Sequence, residues 1–292
     1  MAKPRALKRR IRSIESTRKI TRTMEMVATS KLKRAQDRVV AARPYAAALA
    51  QVIADLVTPE LAERFPLLRR PAAPAQGGPD RVALILLTSN RGLAGGFNAN
   101  LIKEARRRIE ALEREGYAVD LHVVGKKGIG FFKYLGRPLA TQRLDIGDRP
   151  TAQHAAELVA ELIPAYEAGR LAAVELVYAR FVSALSTPPT TLRVLPVEPP
   201  ARRARRPDYI LAPGPDVILA RLLPLYVRNM VYRGLVETAA AEQGARRTAM
   251  KNATDNAGEI LEILKRSYNR QRQAQITQEI SEIVGGAAAL QG

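Results

Sequence analysis

This chain contains no cysteine and no tryptophan, and aromatic residues make up only 5% of its 292 positions. The lack of cysteine excludes disulfides, thiolate-ligated metal and any thiol redox switch within the chain. Few aromatics make a thick core hard to build. The apolar share of 47% rests heavily on alanine, which suits closely packed helices. The two histidines, His122 and His154, have no partners at ligand spacing, so no metal site is expected. No run of about 18 apolar residues occurs, so no spanning helix is expected. The basic N-terminus is not followed by the apolar stretch of a secretory signal, and a cytoplasmic protein is expected.

Acids are scarce too: 28 against 47 Lys and Arg, for a net charge of +19. The imbalance is concentrated. Residues 1–43 carry fourteen basic and three acidic side chains, and Arg202–Arg206 holds four arginines. Such a surplus implies an acidic partner: nucleic acid, an anionic membrane surface or acidic protein loops.

What is abundant is helical periodicity at both ends. Ala28, Leu32, Ala35, Val39, Ala42, Ala46, Leu49, Ile53 and Leu56 are spaced alternately four and three apart, the stripe of a coiled-coil seam. Between about Asp216 and Val284 the expected stripes are Ala249, Ala253, Ala257, Ile260 and Leu264, then Ile276, Ile280 and Ile283. Rods of roughly 80 and 100 Å would result at ~1.5 Å per residue. Pro44 is expected to kink or divide the first rod, and Gly285–Gly286 to stop the second. Between Leu264 and Ile276 the polar run from Tyr268 to Gln273 interrupts the seam. Gly234, Gly244 and Gly258 suit close approach by another backbone, or bending.

The middle reads differently. Val82–Thr88, Val119–Val124, Leu139–Leu144, Val174–Val182 and Thr191–Val197 are strand-like. Asn98–Glu115, Ile129–Leu135 and Gln153–Ala168 are helix-like. Alternation with short connections predicts an at least partly parallel α/β layer. The predicted fold is therefore α/β plus a long antiparallel coiled coil, the terminal helices paired and a Rossmann-like domain inserted between them. The expected divisions are residues 1–58 (first helix), 59–80 (linker), 81–212 (α/β domain) and 213–292 (last helix).

No catalytic constellation is visible. The Gly-rich turn SNRGLAGGFN (Ser89–Asn98) sits between strand and helix but lacks the Lys-Ser/Thr of a Walker loop and does not fit G-x-G-x-x-G. It reads as a turn requiring positive φ. GKKG (Gly125–Gly128) reads as a solvated strand-to-helix turn. Neither enzymatic activity nor a cofactor is expected.

Several segments together resemble the γ subunit of F-type rotary ATP synthases: IRSIESTRKITRTMEMVATSKLKRAQ (Ile11–Gln36), SNRGLAGGFNANL (Ser89–Leu101), GKKG, AMKNATDNAGEI (Ala249–Ile260) and YNRQRQAQITQEISEIVGGAAAL (Tyr268–Leu290). They span nearly the whole chain, in family order. Gly244 and Arg247 depart from the family's usual Ala and Met, and Asn90 and Ala94 from its Asp and Cys. The resemblance implies a central stalk: a rotor shaft inside a ring of α and β subunits, fixed at its other end to a proton-driven c-ring, with an ε subunit as a further partner. It implies contact with β through Lys19, Arg22, Met24 and Lys31, through Arg246, and through Arg272 and Gln273, which match a pair that hydrogen-bonds a β loop. It further implies peripheral attachment at the cytoplasmic face of a bacterial plasma membrane, through the complex only. The competing reading is a basic coiled-coil scaffold or nucleic-acid-binding protein, against which stand the scarce stacking aromatics.

Overall fold

A computed structural model describes residues 4–69, 80–198 and 214–290, excluding the side chains of Pro4 and of residues 288–290. The basic stretch Arg202–Arg206 and most of the Pro/Gly-rich segment before the first strand lie outside the described residues. The described chain forms two compact units, residues 28–246 and a second composed of residues 1–27 with 247–292. Both breaks fall inside long helices, α1 (Pro4–Leu56) and α7 (Pro215–Leu290).

The larger unit is built on five strands: β1 (Arg81–Leu87), β2 (Ala118–Val124), β3 (Thr141–Arg143), β4 (Ala173–Ala179) and β5 (Pro189–Leu195). Their order is β3-β2-β1-β4-β5, with β1 to β4 parallel and β5 antiparallel to β4. β1 is apolar throughout because both its faces are covered. Ala83, Ile85 and Leu87 face one core cluster with Leu49, Ile53 and Leu56 of α1 and Leu219, Leu223 and Val227 of α7. Leu84 and Leu86 face the other, with Leu101, Ala105 and Ile109 of α3 (Phe97–Arg114), Phe132 of α4 (Lys126–Tyr134) and Leu32, Ala35 and Val39 of α1. The predicted N-terminal stripe is thus core, with only Ala42 half-exposed. The buried carboxylate of Glu175 on β4 is held by Arg108 of α3 through two bonds of 2.6 and 2.7 Å, which offsets its desolvation.

Several expectations are corrected. Pro44 does not divide α1, which is one helix of 53 residues. Pro44 and Val40 are both exposed, so water can satisfy the carbonyl four residues back, the one deprived of its donor. Gly285 and Gly286 do not stop α7. Gln153–Ala168 is two helices, α5 (Ala152–Val159) and α6 (Leu162–Glu167); Pro164 in the first turn of α6 has no amide to continue α5. A short helix, α2 (Pro59–Arg64), capped by Thr58, follows α1 and was not foreseen. By length and composition α1 also contains a window apolar enough to cross a membrane, with mean hydropathy 1.3, contrary to expectation. Its side chains Leu49, Ile53 and Leu56 are nevertheless buried in the core.

In the smaller unit the two helical segments run antiparallel. Thr21 meets Thr254, and Glu15 meets Lys265 at 3.1 Å, so one number falls as the other rises. The α1 seam continues the same phase upstream through Leu7, Ile11, Ile14 and Thr21. On α7 the buried side chains are Met250, Thr254, Ala257 and Leu261, followed by half-buried Leu264, Tyr268 and Gln271. This is the seam at alternating four and three. The predicted stripe shared only Ala257 and Leu264 with it, and Ile260 is 43% exposed. The cause is Thr254, a polar residue at a seam position that an apolar count passes over. Its hydroxyl oxygen lies 2.8 Å from both Thr21 Oγ1 and the Met250 carbonyl, so its burial is compensated.

Candidate functional site: the strand ends and a basic two-helix segment

In a sheet of this order the chain turns one way from β1 to β2 and the other way to β4, and open α/β sheets bind ligands at that switch, beyond the carboxyl ends of the strands. Here α7 packs against the end of β4 and forms one wall of a cavity of about 550 Å³ whose other walls are the ends of β1 and β2 and the β3–α5 loop. A Cβ at Gly234 would stand 2.5 Å from Leu176 of β4 and 3.7 Å from Leu87 of β1, so only glycine lets the helix settle there. Thr238 Oγ1 accepts from the Ala179 amide at 3.3 Å and a Glu237 oxygen from the Phe181 amide at 3.2 Å. The groups that would greet a ligand at the end of β4 are thus spent on the protein's own helix.

The Gly-rich turns are structural as well. Gly92–Gly96 includes two positive φ values, 61° at Leu93 and 56° at Gly95; one of the two falls on leucine rather than glycine. Ser89 and Asn98 close the turn through their side chains. Gly125 has φ of 97°, and a Cβ there would lie 2.2 Å from the Thr88 carbonyl. His122 is buried, its ring Nδ1 2.9 Å from Thr141 Oγ1, and burial pushes its pKa down. His154 completes the capping box of α5 with Thr151. Among the described residues no cluster suits a metal ion.

The residues expected to meet a partner are divided between the units. In the larger one, Lys31 Nζ is 2.5 Å from Asp148 Oδ2. Arg246 is buried, donating to Glu242 at 2.6 Å and to the Gly92 carbonyl at 3.2 Å. Burial pushes the Glu242 pKa up, against the pull of Arg246. Gly244 packs beneath the backbone of Ala184, whose oxygen a Cβ would meet at 3.2 Å.

In the smaller unit, Lys19 and Arg22 are exposed and line a groove with Arg18, Gly258 and Lys265. A Cβ at Gly258 would meet the Arg18 guanidinium at 3.7 Å. Met24 is half-buried. Arg272 and Gln273 begin the part of α7 that none of the described residues covers: from Arg272 to residue 287 every side chain is exposed. Leu7 is the first buried residue of α1, and Gln271 the last partly covered residue of α7. The stripe expected at Ile276, Ile280 and Ile283 is therefore 47–71% exposed. Sequence reasoning gave no role to Asp148, which occurs in no motif, nor to Glu242 and Gln243, which stand in the same family stretch as Gly244, Arg246 and Arg247. Their partners lie 95 to 117 residues away in the case of Asp148.

The larger unit carries a five-stranded α/β sheet and the smaller one an antiparallel pair of helical segments. The family described as ATP synthase matches residues 3–290. The chain is 64% identical over the full length of both proteins to the ATP synthase gamma chain of Gemmatimonas aurantiaca. It is 46% identical to that of Moorella thermoacetica, covering 99% of this chain and 100% of the relative. Among solved structures it resembles a central stalk/c-ring chain of the Tetrahymena thermophila mitochondrial ATP synthase, at 25% identity and TM-score 0.57, over 80% and 99% of the two chains. A chain of the Euglena gracilis mitochondrial enzyme shares the fold at 17% identity and TM-score 0.65, over 98% and 94%. The chain belongs to the ATP synthase gamma-chain family. It is a non-catalytic central-stalk subunit of a membrane-associated complex, and the nucleic-acid-binding alternative finds no support among these relatives.

Proposed function

We propose that this chain is the shaft through which torque passes between a proton-driven c-ring and a catalytic ring of α and β subunits. The observation that carries the reading is the uncovered end of α7. Sixteen residues beyond Gln271 expose Ile276, Ile280, Ile283 and Val284 on a stretch of helix with no partner among the described residues. An apolar stripe of that kind requires an enclosing surface. The basic groove at Lys19 and Arg22 and the polar pair Arg272 and Gln273 face outward beside it or at its start, suited to acidic loops of β. Met24 belongs to the same contact. Lys31 and Arg246, bonded within the chain, contribute to β contact only by exchanging partners during rotation. The α/β unit is the foot that meets the c-ring and the ε subunit. The complex sits peripherally at the cytoplasmic face of a bacterial plasma membrane.

Co-purification tests this. A tagged chain should retain α and β subunits after nuclease treatment, and release them progressively as salt rises, because exposed charge pairs are screened. Recovery of nucleic acid in place of a ring would overturn it.

A further inference from the structure

One carboxylate in the larger unit joins three elements. Asp148 lies in the loop between β3 and α5. Its Oδ2 takes Lys31 Nζ of α1 at 2.5 Å, and its Oδ1 accepts from Gln243 Nε2 of α7 at 3.2 Å. Its backbone carbonyl accepts from Arg38 Nη1, seven residues along α1 from Lys31, at 3.2 Å. Gln243 is only 2% exposed, and beside a carboxylate acceptor its amide presents Nε2, which leaves Oε1 buried without a partner among the described residues. Close by, Arg246 ties α7 to the Gly92 turn.

The apolar contacts of α1 and α7 with the sheet resist separation but discriminate weakly between neighbouring registers. Charge-assisted hydrogen bonds fix position because they act only at short range and in the correct direction. We propose that Asp148 is a positioning residue that locks both shaft helices to the foot, so that torque applied to the sheet-bearing unit reaches α1 and α7 together. This rests on the rotor reading but goes beyond it, since it names the side chain that bonds both helices at once, in addition to the bonds that Thr238, Glu237 and Arg246 give α7 alone.

The test uses the assembled, membrane-bound complex with Asp148→Asn and Asp148→Glu. ATP hydrolysis is measured in membranes made permeable to protons, where the rotor is unloaded, and ATP-driven proton pumping in sealed vesicles, where it is loaded. For Asp148→Asn the unloaded rate should stay within about twofold of normal, as for a substitution outside the core, while protons pumped per ATP fall several-fold. Asp148→Glu, which keeps the charge, should recover most of the pumping. The exchanged pair Lys31→Glu with Asp148→Lys should pump better than Lys31→Glu alone. An unchanged pumping-to-hydrolysis ratio in Asp148→Asn would overturn the proposal. So would an equal loss of both activities with a lowered melting temperature and no recovery in Asp148→Glu, which would make Asp148 a support of folding only.

Discussion

Glu242 and Arg246 show how a charge is kept inside this protein. Each side chain is 10% exposed, and each is the other's partner one helical turn away. Removing one member of a buried pair leaves the other uncompensated, at a cost of about 3–5 kcal/mol. Arg246→Ala should therefore destabilise the isolated chain strongly at neutral pH, as read by denaturant unfolding. The penalty should shrink in mild acid. The folded-state pKa of Glu242 already lies above its usual value because of burial, and losing Arg246 raises it further. The group then takes up a proton before the unfolded chain does, and a neutral carboxyl needs no counter-ion. Asp145 behaves oppositely. Bonded to Arg143, it is held down to about 2 from 3.8. A depressed acid stabilises the fold above its unfolded pKa, and that contribution is lost as pH falls towards 2. The stability difference between the unaltered chain and Asp145→Asn should accordingly be constant near neutrality and vanish between about pH 4 and 2. Its half-exposed side chain keeps the effect small.

At the scale of elements, the register of the helix pair gives a sharp comparison. Leu261 is 4% exposed and Ile260 is 43% exposed. Leu261→Ala should cost about 2 kcal/mol or more, and Ile260→Ala less than about 0.5 kcal/mol, with helix content followed by circular dichroism during unfolding. Equal effects would place the seam between them. Gly234→Ala should destabilise the larger unit by about 1–3 kcal/mol, because the new methyl meets Leu176. These two sites show where the sequence was legible. The N-terminal stripe could be read from Ala28 to Leu56 because its seam is apolar. Its continuation through Thr21 and the α7 seam through Thr254 were obscured, since each threonine satisfies its hydroxyl across the pair and looks like a surface residue in isolation. β1 emerged from a continuous apolar run, buried on both faces. α2 escaped because six residues carry no period, and the role of Gly234 in seating α7 on β4 because nothing local distinguishes a glycine that admits a neighbour from one that bends a helix.

For the molecule as a working part, the proposed contact of Arg272 and Gln273 with a β subunit can be separated from a role within the helix pair, since both side chains are exposed. Arg272→Ala or Gln273→Ala should leave the melting of the isolated subunit almost unchanged, as both side chains are exposed. Each should lower ATP turnover by the assembled complex by roughly tenfold or more, since a hydrogen bond to a charged group contributes about 1.5–3 kcal/mol. The double variant should lose less than the product of the two single effects, because both serve one contact. Steady-state turnover at saturating ATP, set beside the thermal melt of the free subunit, decides the matter. A melt that fell with the rate would place the pair inside the helix seam.

The contact between Thr21 and Thr254 spans 233 positions, and this has a consequence for biosynthesis. At roughly 5–20 residues per second, the first helix leaves the ribosome about 12 to 47 seconds before its opposite strand of the seam exists. Throughout that interval Leu7, Ile11 and Ile14 have no intramolecular shelter, and the dense positive charge around them keeps such nascent chains apart. Like charge on neighbouring chains opposes their association, so replacing several of these N-terminal lysines and arginines by glutamine should raise aggregation during synthesis, read as the soluble fraction of newly made chain.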